Sequence, residues 1–315
     1  MSVRRVLVTC PPMVGLIEEF RPEMAARGMT CEVPAFTQTV PEARLLELVP
    51  DHDGWIIGDD PATRAVLAAG RAGRLRAAVK WGIGIDNVDV AAARELGLGF
   101  TNTPHMFGDE VADYAMAYVT ALARALFEVD RAIRAGQWPK PAGISLAGRV
   151  AGLVGLGNIG RATAARLHAA GLEVVAWDPG LDAPPADTPV MLERWPAGLE
   201  RCDFLVFTCA LTATNRHMLD AAALARVKPG VRIVNVARGP LIDTAALVAA
   251  LADGRVRAAA LDVFETEPLA ADAALRGFDN VVFGSHNASN TVEAVRRTSL
   301  RAIESLAALL DQADG

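Results

Sequence analysis

The sequence predicts an α/β protein built from two doubly wound parallel-sheet domains, and three observations carry that prediction. Short apolar runs alternate with helical stretches over short connections in both halves of the chain, the pattern of repeated strand–helix–strand units. One unit contains an abrupt glycine turn, Gly155-Leu-Gly157-Asn-Ile-Gly160, between a strand and a helix. The composition agrees: the 315 residues are 52% hydrophobic but only 5% aromatic, the Ala-, Val- and Leu-rich mixture of helix-covered parallel sheets. A chain of this length has room for two domains.

Taken in order, residues 5–9 read as a strand, 42–49 as a helix, 54–58 as a strand, 62–69 as a helix, 77–81 as a strand, 90–96 as a helix and 99–101 as a strand. This first series has no phosphate-type glycine turn after its first strand. It carries Cys10-Pro11-Pro12-Met13 there, read as a loop, and is expected to be the partner of a cofactor domain. Residues 109–126 hold no Gly or Pro, begin with acids in the first turn and read as one long helix joining the two series. A further helix at 128–136 and a Pro/Gly-bearing loop around Trp138 follow. The second series comprises strand 150–154, helix 161–171, strands 172–177 and 204–208, helix 221–226, strand 231–236, helix 244–251 and strands 258–263 and 281–284. Residues 291–310 close the chain as a helix with no strand after it, available to pack back on the first series. The predicted domains are therefore 1–103 together with 291–315, and 104–290 inserted between them.

In the glycine turn each glycine has its own task. Gly155 permits the tight reversal, Gly157 lets a pyrophosphate approach the backbone, and Gly160 lets the helix pack close on the strand. The helix N-terminus offers free N–H groups and partial positive charge to phosphate oxygens. Such a turn alone means little in a chain with 27 glycines, and a ligand-free glycine turn is its ordinary alternative. Here, however, the next strand ends in Asp178, 18 residues beyond Gly160 and 23 beyond Gly155, near the spacing at which a carboxylate takes a ribose hydroxyl. A carboxylate there repels a 2′-phosphate, and Pro179-Gly180-Leu181 bring no Arg or Lys to offset it, so NAD is expected over NADP. The second series thus reads as a Rossmann NAD-binding domain inserted in a flavodoxin-like substrate domain.

Ligands in open α/β sheets sit outside the carboxyl ends of the strands. Three strand ends of the second series carry polar groups there: Arg238, the acids Asp262, Glu265 and Glu267, and His286. Each has an ordinary structural reading, as a loop cap, a solvated acidic loop and a satisfied histidine. The functional reading is a guanidinium gripping a carboxylate in two places and an acid orienting an imidazole. Of the other histidines, His168 and His217 read as helical or nearly so, and His52 and His105 as loop residues.

The stretches VGLGNIGRATAARL, HMLDAAALARVKPGVRIVNVARGPLIDTAALVAAL, AALDVFETEPL and DNVVFGSHNAS, in that order, closely resemble the D-isomer-specific 2-hydroxyacid dehydrogenases. Upstream, VKWGIGIDNVDVAAARELG and NTPHMFGDEVADYAMAYVTALAR resemble the same family. The resemblance implies NAD-dependent interconversion of a D-2-hydroxy acid and its 2-oxo acid by a catalytic set of Arg238, Glu267 (not Glu265) and His286. It puts Asp262 on the nicotinamide carboxamide and Ala210 at a cofactor-lining position that is often Pro. Asn158, Ile159, Val236, Ala237, Arg238, His286 and Ser289 join Gly155, Gly157, Gly160 and Asp178 on the cofactor. The backbone of Gly82, Ile83 and Gly84 corresponds to a loop that receives the substrate carboxylate, which Arg238 also holds. With Glu267 beside it, the His286 imidazole is expected to stay protonated when NADH is bound, above the ordinary histidine pKa of about 6.5. Residues 104–150 resemble the family's dimer arm and imply a homodimer. Ser285 stands where Pro is usual, Asn287 replaces an apolar residue and Asn215 replaces a common Thr, departures that bear on substrate preference. Rival readings are an NAD(H)-sensing protein like the family's corepressors, and a phosphite or formate oxidase. Glu267 argues against the formate enzymes, which place Gln there.

A net charge of −6, a pI near 5.5 and the absence of a basic block make nucleic acid and anionic membranes poor partners. No apolar run reaches the roughly 18 residues of a membrane span, and the N-terminal residues lead straight into a strand without a secretory signal pattern. Cys10, Cys31, Cys202 and Cys209 lie in or beside apolar runs without CxxC spacing and read as buried free thiols of a cytoplasmic protein.

Overall fold

A computed structural model describes residues 3–314. The chain divides into two compact units, Met1–Met106 with Asn290–Gly315, and Phe107–Ser289.

The first unit contains β1 (Arg4–Val8), α1 (Pro11–Val14), α2 (Ile17–Ala25), β2 (Met29–Glu32), α3 (Glu42–Leu48), β3 (Gly54–Ile57), α4 (Arg64–Ala72), β4 (Ala77–Lys80), α5 (Val90–Glu95) and β5 (Gly99–Asn102). Its five strands are all parallel, in the flavodoxin-like order β2-β1-β3-β4-β5. Residues 11–32 depart from the sequence reading, which saw a loop at 10–13 and nothing regular after it. Pro11 occupies the first turn of α1, where its missing N–H loses no helical bond. Pro22 lies inside α2. Helix starts elsewhere are conventional: Thr63 and Asp89 accept from the backbone N–H groups of Val66 and Ala92.

On one face of this sheet Leu7, Trp55, Ile57, Val66, Leu67 and Leu75 pack into one core. At its carboxyl edge sits a buried polar network. The Asp60 carboxylate accepts from Val40 N at 2.7 Å, from Gly58 N at 3.1 Å and from the Thr9 hydroxyl. Thr9 Oγ1 in turn accepts from Trp55 Nε1 at 2.9 Å. Burial lifts the Asp60 carboxyl above the usual range, and its three donors pull the other way.

The second unit opens with α6 (Gly108–Arg124) and α7 (Leu126–Arg134). The single helix predicted over 109–126 is broken by Ala125, which adopts a left-handed conformation with φ 52°. Alanine gives no sequence signal for this break. Its physical context is burial: α6 buries Val111, Ala115, Tyr118, Val119 and Leu122, whereas no residue of α7 is buried. There follow β6 (Val150–Val154), α8 (Asn158–Ala169), β7 (Glu173–Trp177), β8 (Met191–Glu193), β9 (Phe204–Phe207), α9 (Ala221–Arg226), β10 (Val231–Asn235), α10 (Thr244–Ala252), β11 (Val256–Leu261) and β12 (Val281–Phe283). All seven strands are parallel in the order β12-β11-β10-β9-β6-β7-β8. The edge strand β8 was not predicted, because three residues carry too little alternation to register. Strand order reverses between β6 and β9, the switch point where ligands bind in such sheets, and the glycine turn follows β6.

The chain returns to the first unit as α11 (Val292–Asp314). It packs on β3 and β5, with Leu306 against Gly54 and Leu309 against Gly99, positions where an added Cβ would meet those leucines at 3.0 and 3.3 Å. Trp81 Nε1 donates to Ser299 Oγ of this helix at 3.1 Å. All four cysteines are free; Cys10 and Cys202 are buried, but Cys31 and Cys209 are only half-buried, correcting the expectation for those two. Among the described residues no helix is long and apolar enough to cross a membrane, and no group of three or more His, Cys, Asp or Glu is placed to hold a metal ion.

Removing the Asp60 carboxylate leaves two buried backbone donors without their acceptor. Asp60→Ala is expected to destabilise the protein by about 3 kcal/mol, measured as a lower midpoint in urea; a change under about 0.5 kcal/mol would show the network to be dispensable.

Candidate active site

The strands β10, β11 and β12 are neighbours, and their register sets Asn235 beside Leu261 and Leu261 beside Phe283. The three following loops therefore leave the sheet at one level, although they are well separated in sequence.

The first loop is shaped by Asn235, which is buried. Its Oδ1 accepts from Ala237 N at 3.0 Å, and its Nδ2 donates to Arg238 O at 2.9 Å. This closes a tight turn and fixes where Arg238 begins. The guanidinium is held back toward its own turn by a 2.8 Å bond from Nη1 to Ala237 O. Val236 and Ala237 are buried. Sequence reasoning quoted Asn235 without giving it a role; an amide closing an apolar strand was the signal. Next, Gly239 touches the second loop backbone to backbone. A Cβ there would lie 1.9 Å from Phe264 C and 2.4 Å from Glu265 N.

In the second loop, three acids have three different partners. Asp262 is buried, and its two oxygens accept from Asn287 N at 3.0 Å and Ala288 N at 2.9 Å. Its carbonyl accepts from His286 N at 2.7 Å. Burial raises the Asp262 carboxyl, while these two amides and His286 pull it down. Asp262 thus holds the turn that carries His286, a role the sequence reading, which placed it on the nicotinamide, did not include. Glu265 pairs with His217 Nε2 at 2.7 Å and accepts from Thr244 N at 3.0 Å. Glu267 accepts from Phe264 N through Oε1 at 2.8 Å, and its Oε2 lies 2.8 Å from His286 Nδ1.

In the third loop, His286 has φ 58°, a left-handed conformation uncommon outside glycine. Three bonds from Asp262 to residues 286–288 hold it there. Gly284 is needed to reach this turn, since a Cβ would lie 2.1 Å from Asp262 Oδ1 and 2.7 Å from the Tyr118 hydroxyl. The His286 and Glu267 side chains are 23% and 21% exposed, shielded yet reachable. His217, read from sequence as near-helical, instead occupies a turn with φ 53°.

At the switch point, the glycines divide their work. Gly155 has φ 96° and no room for a Cβ, which would meet Cys209 Cα at 2.7 Å. A Cβ on Gly160 would lie 2.1 Å from Gly155 O, so α8 packs directly on the turn. Around Gly157 nothing lies within 4 Å of an added Cβ. Two glycines are therefore demanded by packing and the third faces open space at a helix N-terminus, a cradle that fits a pyrophosphate. The helix begins at Asn158 rather than at 161 as predicted, because the turn itself supplies its first residues. Asn158 is exposed and lies against Gly108, while Ile159 is half-buried. Asp178 follows β7 and accepts from Leu156 N at 2.8 Å and Gly180 N at 2.9 Å, tying it to the glycine turn. Ala210 is exposed; its carbonyl accepts from Asn215 Nδ2 at 2.8 Å, which gives the unusual Asn215 a role in shaping that loop. Ser289 is half-buried at the end of the unit.

Gly82, Ile83 and Gly84 lie in the first unit, after β4. Gly82 has φ 128°, and its N–H donates to Thr103 Oγ1 at 2.8 Å. Of the three amides expected to receive a carboxylate, this one is already engaged inside the unit. Beneath it lies Lys80, a buried residue that sequence reasoning missed, with Nζ donating to Asp59 Oδ1 at 3.1 Å.

Comparison with known proteins decides the family. Residues 116–288 match the family described as D-isomer specific 2-hydroxyacid dehydrogenase, NAD binding domain. The chain belongs to the D-isomer-specific 2-hydroxyacid dehydrogenases. It is 34% identical over 280 residues to a hydroxypyruvate reductase of Thermotoga maritima, covering 87% of this chain and 90% of that protein. It is 38% identical over 267 residues to a D-3-phosphoglycerate dehydrogenase of Mycobacterium leprae, covering 84% of this chain but only 50% of that one. The crystal structure of the TT0316 protein from Thermus thermophilus aligns with a TM-score of 0.84 and 32% identity over 98% of this chain and 97% of its own. The protein is thus an NAD-dependent D-2-hydroxyacid/2-oxo acid oxidoreductase of this family.

Gly239→Ala forces apart the loops that carry Arg238 and Glu267. Misplacing a reacting group by about 1 Å is worth about 100-fold, so kcat/KM is expected to fall about that much; unchanged steady-state kinetics would show that the crossing does not set the site.

Proposed function

We propose that the protein reduces a small 2-oxo acid to its D-2-hydroxy acid with NADH, and runs the reverse reaction with NAD, using Arg238, Glu267 and His286. The observation that carries this reading is the 2.8 Å contact between His286 Nδ1 and Glu267 Oε2, with the other Glu267 oxygen anchored on Phe264 N. An ionised carboxylate only accepts, so Nδ1 carries a proton and Nε2 is the nitrogen that exchanges one. In reduction the imidazolium Nε2 donates its proton to the carbonyl oxygen as negative charge develops there. In oxidation the neutral Nε2 takes the proton of the hydroxyl. Glu267 stabilises the cationic ring and fixes its orientation. Arg238 grips the substrate carboxylate and draws charge onto the carbonyl oxygen. The bound nicotinamide supplies the hydride in one direction and accepts it in the other.

For the cofactor, the open Gly157 and the α8 N-terminus take the pyrophosphate, with Asn158 and Ile159 beside them. Ala210, Val236, Ala237 and Ser289 line the rest of its course. Asp178 keeps lone pairs beyond those used by Leu156 and Gly180, enough to accept from a ribose hydroxyl, and its charge favours NAD over NADP. Asp262 acts mainly by positioning His286, with remaining acceptor capacity for the carboxamide. The names of relatives that reduce hydroxypyruvate and glyoxylate support a small 2-oxo acid as substrate. Exposed Leu126, Phe127, Ile133 and Trp138 on and after α7 support a homodimer through this segment.

A panel of 2-oxo acids run with NADH and NADPH in parallel tests the reaction. Turnover with NADH is expected, and His286→Ala should lower kcat by about 10²- to 10⁴-fold with NADH binding unchanged. Near-normal kcat in that variant would remove His286 from the chemistry, and NADPH used as well as NADH would remove Asp178 from cofactor choice.

A further inference from the structure

The acid loop carries a second histidine–carboxylate pair, Glu265 with His217, that the mechanism above does not use. Glu265 Oε1 accepts from Thr244 N, the first residue of α10, at 3.0 Å. Its Oε2 lies 2.7 Å from His217 Nε2 and 3.3 Å from Arg216 Nη2. Burial alone would raise the Glu265 carboxyl, but the bonds from His217 and Thr244 hold it below the usual range, so it is a charged anchor.

His217 is fixed from two further directions. Its backbone N–H donates to Pro240 O at 2.7 Å, two residues past Arg238. Its φ of 53° is one that a non-glycine residue keeps only when its surroundings impose it. The Arg238 loop itself leans on the Phe264–Glu265 peptide at Gly239. His217 therefore touches the loop of Arg238 through its backbone and the loop of Glu267 through its ring. It also ends the segment that begins with Ala210, whose carbonyl is tied to Asn215 within the same turn.

We propose that His217 and Glu265 form a positioning pair, which locks the cofactor-lining segment 210–217 to the loops of Arg238 and Glu267. The inference rests on the function proposed above for the roles of Ala210, Arg238 and Glu267. Its signature is a loss of cofactor affinity larger than the loss of turnover, because the pair sits at the foot of the cofactor segment and never meets the reacting atoms.

The test measures NADH binding by fluorescence titration, which needs no turnover, together with kcat and Tm. His217→Ala and Glu265→Gln, the latter keeping an acceptor for Thr244, are each expected to weaken NADH binding about tenfold, with the double variant no weaker than either single one. His217→Gln, whose amide still reaches for Glu265, should recover most of the affinity, and kcat should change less than the Kd in every variant. Affinity within about twofold of wild type in Glu265→Gln, effects that multiply in the double variant, or losses of affinity, kcat and Tm together without rescue by Gln would each overturn the proposal. If His217→Ala does not fold, Glu265→Gln and His217→Gln decide it. A wild-type protein that binds NADH but turns over no 2-oxo acid would sink the function proposed above and leave this result readable.

Discussion

Three parallel strands ending at one level constrain everything else in the second unit. The register that aligns Asn235, Leu261 and Phe283 means that loops far apart in sequence must share a small space. They can do so only because their backbones touch, at Gly239 against Phe264 and at Gly284 against Asp262. Once the chain is that close, each side chain has few places to go. The left-handed turn at His286 then persists because Asp262 supplies an acceptor to each of three successive N–H groups.

This crowding also explains why three acids within six residues do three different things. Asp262 leaves the sheet first, is buried under the third loop and serves as a hub for its amides. Glu265, beyond the crossing at Gly239, meets α10 and His217. Glu267 folds back so that one oxygen returns to Phe264 N of its own loop and the other faces His286. Charge alone would not separate these roles. What separates them is which donors each carboxylate meets.

Much of this was legible in the sequence. Apolar runs of four or five residues gave most strands, and the glycine turn followed by Asp178 located the switch point. The motif resemblance chose Glu267 over Glu265, which spacing could not do, since both follow the same strand. Features that depend on distant neighbours were hidden. Ala125 ends a helix without a breaker residue, and β8 exists because β7 is beside it. Pro11 suggested a loop where a helix stands. The work of Asp262 and His217 consists of bonds to loops elsewhere in the chain, so no local pattern announces it. Thr103, just past the neighbouring strand, captures the Gly82 amide in the same way.

The central claim is that Glu267 holds the proton of His286 on Nδ1 and leaves Nε2 to exchange with substrate. Nitrogen-15 NMR of histidine-labelled protein tests it directly, since the chain has only five histidines and the His286 signals are assigned by their loss in His286→Ala. The prediction is an Nδ1 that stays protonated across the titration while Nε2 alone gains and loses its proton. A neutral ring with the proton on Nε2 and a bare Nδ1 would contradict it.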